Sequence, residues 1–157
     1  MKNLTASEFS ELLRSHHACS EASEWAKGKD LAEVWHTCHR GDWMLWLLGR
    51  MTDRPGWLTR KEVCAIVCDV VEPSLRYVRP GEMRPQACLD TVRGWIAGTH
   101  TLEQVRKARR AADAYAYADA AAAAAAYSTT RTRSLLQSAN ICRRQVSIDC
   151  SGSAVGA

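Results

Sequence analysis

The chain has 157 residues, a formal net charge of +4, and apolar and charged shares of 46% and 24%. That length suits one ordinary domain whose core needs no covalent staples. No run of 18 apolar residues free of charge occurs, which excludes an obvious membrane span.

Residues 1–100 balance in charge, so residues 101–157 carry the whole positive excess. Such asymmetry points to an anionic partner or, more simply, to a solvated basic face. The seven cysteines are an odd number, and the polar start Met1-Lys2-Asn3-Leu4 is not a secretory signal. Reduced thiols in a cytoplasmic protein are the expectation.

Thr5 and Glu8 have the spacing of a capping box, and Phe9, Leu12 and Leu13 give the first helix its apolar face. It is expected to run to about Cys19. A short helix through Trp25 follows, ended by Gly28. Asp30 opens a third helix, with Leu31, Val34, Trp35 and Cys38 as its inward stripe and Gly41 as its end. Asp42 is the expected N-cap of a fourth, closed by Gly49 and the 52–56 loop. Trp43, Leu45, Trp46, Leu47, Leu48 and Met51 leave it little polar surface, so it reads as a central helix. Trp35 and Trp46 are expected in the core.

Thr59 and Glu62 repeat the capping-box spacing before a helix over 60–71, with Val63, Ile66, Val67 and Val70 inward. Pro73 breaks it. Pro85 suits the first turn of a helix that Gly98 closes near Ala97. Thr101 is expected to cap a long helix that enters the alanine tract. Twelve of the 16 residues Ala111–Ala126 are Ala, and alanine has the highest helix propensity. A last helix over 134–146 carries Leu135, Leu136, Ala139, Ile141 and Cys142 inward. Valines and isoleucines recur at helical rather than strand spacing, so the fold expected is all-α. It is a single-domain bundle of about six to eight helices over residues 1–148, with a flexible tail over 149–157.

Metal chemistry has three candidate groupings: Cys64 with Cys68, His36 with Cys38 and His39, and His16 with His17 and Cys19. None has a recognised zinc-ligand spacing, and cysteine is a common core residue, so no metal and no cofactor is expected. Adjacent helical residues point apart, so Cys38 does not share a face with its flanking His to make a nucleophile. No phosphate-binding glycine loop and no nucleophile elbow occurs. The chain reads as a non-enzyme.

Binding has better candidates. Arg106, Arg109 and Arg110 share one helix face, and Arg131, Arg133, Arg143 and Arg144 follow. Arginine is the usual fork for phosphate and carboxylate. Trp57, in a Pro-Gly loop, is the candidate exposed aromatic anchor.

Three stretches together resemble a known family. They are Leu31–Met51 with its Gly41-Asp42-Trp43-Met44-Leu45-Trp46-Leu47 run, the segment from Arg84-Pro85 through Trp95 and Gly98-Thr99 to Leu102-Glu103-Gln104-Val105, and the alanine tract followed by an Arg-rich helix. This combination resembles alanine-rich helical immunity proteins of bacteria and phages, labelled so from toxin–immunity loci. The resemblance covers roughly residues 22–148. It implies an all-α fold, no catalysis, and function by binding a protein target such as a toxin or a host defence protein.

Inhibitors of nuclease toxins are commonly acidic, whereas this chain is basic in its last third, so the target surface expected is acidic or apolar. Three alternatives stand beside that reading: a nucleic-acid-binding module using the C-terminal arginines, a zinc-dependent protein, and a homodimer formed through the alanine face.

Overall fold

The computed structural model describes residues 1–123 and 127–148, with side chains for residues 1–115 and 133–148. The expected flexible tail, including Cys150, lies outside the described residues. The described chain is all-α: α1 Ala6–Ser15, α2 Ser20–Trp25, α3 Leu31–Thr37, α4 Gly41–Met51, α5 Arg60–Val71, a 3-10 turn Glu72–Tyr77, α6 Arg84–Ala97, α7 Leu102–Ala123 and α8 Tyr127–Gln145. They gather into two compact units. The first is Met1–Arg60 with the chain from Leu135 onward, and the second is Lys61–Ser134.

In the first unit, α1 and α3 start as the capping chemistry predicts. The Glu8 N–H donates to Thr5 Oγ1 at 3.4 Å and the Thr5 N–H to Glu8 Oε2 at 2.8 Å. The Glu33 N–H donates to Asp30 Oδ1 at 2.7 Å. A buried Asn3 braces that start. Its Nδ2 donates to Asp30 Oδ2 at 3.1 Å and its Oδ1 accepts the Ala32 N–H at 2.9 Å. The core collects Phe9, Leu13, Leu31, Trp35, Leu48 and Met51 from α1 to α4, and Ala139, Ile141 and Cys142 from α8. Burying each large side chain is worth about 1.5–3 kcal/mol.

The α3–α4 junction differs from its expectation. α3 stops at Thr37, and Gly41 starts α4 instead of ending α3. Arg143 on α8 satisfies carbonyls that this stop leaves without an intrahelical donor. Its Nε donates to the Trp35 carbonyl at 3.0 Å and its Nη2 to the Cys38 carbonyl. A continuing helix would need the Trp35 carbonyl as an acceptor.

Gly41 is required by contact. A Cβ there would lie 2.4 Å from Ser138 Cβ and 2.6 Å from the Ala139 backbone nitrogen. Asp42 is not the N-cap either; that position belongs to Arg40, which forms no side-chain cap bond. Gly49 lies inside α4, which ends at Met51.

In the second unit, α5 has the expected bounds. Its first N–H, of Arg60, donates to Asp53 Oδ1 at 2.8 Å from the loop before it. Val63, Ile66 and Cys68 are buried, whereas Val67 is exposed. α6 begins with Pro85 in its first turn and ends on Gly98 with φ +84°, a left-handed cap that glycine adopts freely. Thr101 and Gln104 cap α7 reciprocally: the Gln104 N–H donates to Thr101 Oγ1 at 3.2 Å and the Thr101 N–H to Gln104 Oε1 at 2.6 Å. α6 packs along α7. Leu89 is the buried apolar residue of α6. α8 begins at Tyr127, earlier than the expected Ser134, and exposes Leu136, which was expected inward.

Candidate functional site

Four of the tryptophans of the first unit wall a cavity. It has a volume of about 460 Å³ and is walled by Phe9, Leu13, Trp25, Trp35, Trp43 and Trp46. α1 supplies the two aliphatic and aromatic core edges, α2 brings Trp25, α3 brings Trp35, and α4 brings Trp43 and Trp46 three residues apart on adjoining faces.

Two cations stack on this aromatic set. Lys29 Nζ sits 3.8 Å from the centroid of the Trp25 ring and donates to the Trp25 carbonyl at 2.9 Å. The Arg40 guanidinium carbon sits 4.4 Å from the Trp43 centroid. The Trp25 and Trp43 centroids are 5.9 Å apart with the rings inclined at 53°, so lysine, two indoles and arginine form a continuous ladder. Tilted aromatic pairs and cation–π contacts each contribute about 0.5–1.5 kcal/mol.

Arg40 is held from its far side. Its Nε and Nη2 donate to Asp42 Oδ1 and Oδ2 at 2.9 and 2.8 Å, and its Nη1 pairs with Glu21 at 3.2 Å. The hydrogen-bonded Asp42 carboxylate holds the guanidinium pKa above its ordinary value, and the Arg40 fork holds the Asp42 carboxyl below the usual carboxylate range. Arg40, Asp42 and Glu21 all line the cavity, so one cation meets two carboxylates there.

Trp35 is the deepest wall, only 1% exposed. Its indole N–H is buried with no hydrogen-bond partner among the described residues. An unmatched buried donor of this kind costs about 1–3 kcal/mol. Trp46, expected in the core beside Trp35, is half-buried and carries Arg50 at 5.7 Å from its ring.

The candidate binding residues fall into different surroundings. Trp57 is half-buried, and its backbone N–H donates to the Arg54 carbonyl at 3.0 Å. Arg106 and Arg110 both pair with Glu103, at 3.7 and 3.4 Å, and Arg109 pairs with Asp113 at 3.4 Å. These arginines are exposed but sit among their own carboxylates. The Arg131 side chain lies outside the described residues. Arg133 and Arg144 are exposed. Arg143 is half-buried and engaged with the carbonyls of Trp35 and Cys38 and with Asn140 Oδ1 at 2.6 Å. Its role is therefore to hold α8 against the end of α3. Arg106, Arg109 and Arg110 belong to one unit and Arg143 and Arg144 to the other.

Among the described residues no group of three or more His, Cys, Asp or Glu is placed to hold a metal ion. Burial pushes the thiols of Cys38, Cys68 and Cys88 up and that of Cys142 up to about 11, away from the thiolate that a nucleophile needs. No described helix is long and apolar enough to cross a membrane.

The second unit presents a different surface. Tyr77 and Met83 are 62% and 65% exposed, and Val67 and Val71, one turn apart on α5, are exposed as well. Arg76 lies 4.7 Å from the Tyr77 ring centroid and donates to its hydroxyl at 2.7 Å. From sequence, Tyr77 falls in a short turn with Leu75 and Val78, with no binding role for it or for Met83; the signal available was an aromatic, an arginine and a methionine between Pro73, which ends one helix, and Pro85, which starts the next.

Comparison with protein families, with curated proteins and with solved structures returns no match.

Proposed function

We propose that this chain is a non-enzymatic, cytoplasmic protein-binding inhibitor of the immunity or phage anti-defence kind, acting by stoichiometric contact with a protein target. The observation that carries the reading is the exposed set Val67, Val71, Tyr77 and Met83. Tyrosine, arginine and methionine are the side chains that dominate protein interfaces, and here Tyr77 with its stacked Arg76 and Met83 stand in solvent. They do so on a unit that buries few apolar side chains of its own. The basic balance of residues 101–157 fits a target surface that is acidic or apolar.

The nucleic-acid reading has less support, because Arg106, Arg109 and Arg110 already face Glu103 and Asp113. One experiment separates the two. Tagged protein is used for capture from host lysate at physiological salt, with and without nuclease, beside the variants Y77A/M83A and R109E/R110E. The expected result is one stoichiometric protein that survives nuclease, is lost with Y77A/M83A and is kept with R109E/R110E. Recovery of nucleic acid alone, released by salt and lost with R109E/R110E, overturns the proposal.

A further inference from the structure

The face of α8 that meets the α3–α4 junction holds a thiol, and the junction holds another. Ser138, Ala139, Cys142 and Arg143 are spaced three and four apart, so they share one side of α8. Against them the junction sets Trp35, Cys38 and Gly41. The two segments touch on both sides of the cysteines. Arg143 donates to the Trp35 carbonyl at 3.0 Å and to the Cys38 carbonyl. A Cβ on Gly41 would crowd Ser138 and lie 2.6 Å from the Ala139 backbone nitrogen. Cys38 thus falls between Trp35 and Gly41 on one segment, and Cys142 between Ala139 and Arg143 on the other.

Both side chains are closed off from solvent, Cys38 at 2% and Cys142 at 0% exposure, and both belong to the first unit. The Cys38 thiol has only a weak donor contact, to the Arg40 carbonyl at 3.5 Å. Burial chiefly, with the nearby Cys38 in addition, pushes the Cys142 thiol up to about 11. Segments whose backbones come this close can bring two cysteines within the span that a disulfide bridges.

We infer that Cys38 and Cys142 form a redox latch, joined as a disulfide by exchange with glutathione disulfide, which fastens α8 to the end of α3. One cysteine thiolate attacks glutathione disulfide, forming a mixed disulfide and releasing one glutathione. The second thiolate attacks the protein sulfur of that mixed disulfide and releases the other glutathione. Two electrons pass from the cysteines to glutathione, and the two cysteine protons end on the released thiols. Burial sets the kinetics. In the closed unit neither thiol is accessible or readily ionised, so exchange needs α8 to lift, and the same walls then shield the bond from reductants. The latch is independent of any partner that the second unit binds.

The test equilibrates full-length protein with defined mixtures of reduced and oxidised glutathione, in buffer and in denaturing urea, starting from both the reduced and the oxidised side. Samples are quenched in acid, alkylated and digested with trypsin. Cleavage isolates the two cysteines in Asp30–Arg40 and Ser134–Arg143, one in each peptide, so the linked pair has a single mass. It should be the main protein disulfide in buffer. Its equilibrium constant with glutathione should exceed that of the urea-unfolded chain by at least about a hundredfold, because the bond closes a long loop that the fold has already closed. The urea midpoint of the oxidised protein should rise and should return on addition of dithiothreitol.

The inference is overturned if another pair, such as Cys64 with Cys68, dominates in buffer, if the folded and unfolded constants are equal, or if oxidation raises the midpoint of Cys142→Ala as much as that of the parent protein. The first two outcomes are read on the unaltered chain, so a poorly folding variant does not rescue it.

Discussion

The two units of this chain use their apolar residues in opposite ways. The first buries Phe9, Leu31, Trp35, Leu48 and Cys142 almost completely. The second keeps Val63, Ile66, Cys68 and Leu89 inside and leaves Val67, Val71, Tyr77, Met83 and Leu102 in solvent. Its polar supports are of the weak kind: Arg93 with Asp69 and Glu72, Arg84 with Glu82, and the exposed arginines of α7 with Glu103 and Asp113. Exposed pairs of this sort contribute about 0–1 kcal/mol each. The lesson is a division of labour. Packing energy is concentrated in the first unit, and the second leaves apolar side chains in solvent.

The largest expected effect tests that contrast directly. Leu48→Ala should cost about 4 kcal/mol and Leu89→Ala about 2 kcal/mol in chemical denaturation, because the first leaves a cavity in closed packing and the second can relax. Equal costs would remove the distinction between the units.

Gly41→Ala comes next. Its methyl must displace Ser138 or the α8 backbone, at a cost of about 3 kcal/mol. A melting temperature like that of the parent protein would show that α4 and α8 have room between them.

Arg143→Ala should cost about 2 kcal/mol through the charge-assisted bonds to Trp35 and Cys38. Its neighbour in Arg144→Ala should change stability by less than about 0.5 kcal/mol. If the two losses match, Arg143 is one more surface charge.

The smallest effect is a cap. Asp30→Ala should cost about 1 kcal/mol near neutral pH. The Glu33 N–H and then Asn3 hold the Asp30 carboxyl below its ordinary range. Its contribution is therefore present above the unfolded value, near 4, and is lost as pH falls through the lower folded value. Stability curves of Asp30→Ala and the parent protein should converge on acidification; parallel curves would sink this assignment.

Much of the helical plan was legible because it depends on neighbours in sequence. Thr5 with Glu8, Asp30, Pro85, Gly98 and Thr101 all act within one turn, and each sits where its chemistry predicts. The α3–α4 junction was not legible, because Gly41 and Arg143 are explained only by each other's helix, far apart in the chain.

The site was legible in part. Trp35 reads correctly as core from its helical stripe. The ladder of Lys29, Trp25, Trp43 and Arg40 joins two segments, 25–29 and 40–43; the spacing within each hints at its cation–ring pair, and nothing in sequence shows that the two pairs meet. The arginine face of α7 was visible as spacing, but the local pairing with Glu103 and Asp113 becomes evident only with side chains in place.

The discontinuity of the first unit carries a consequence for how the chain is made. Arg143 reaches back 108 residues to Trp35, so the end of α3 and the seat of Gly41 are completed only once α8 has been made. The second unit is continuous and has everything it needs earlier. A nascent chain halted at Ser134 would therefore carry a finished second unit and an unfinished first one, with the α4 face that receives Ala139 and Ser138 bare. Domains that fold during synthesis usually do so from the N-terminus onward. Here closure of the first unit is timed by α8, and the loop that must close is a long one.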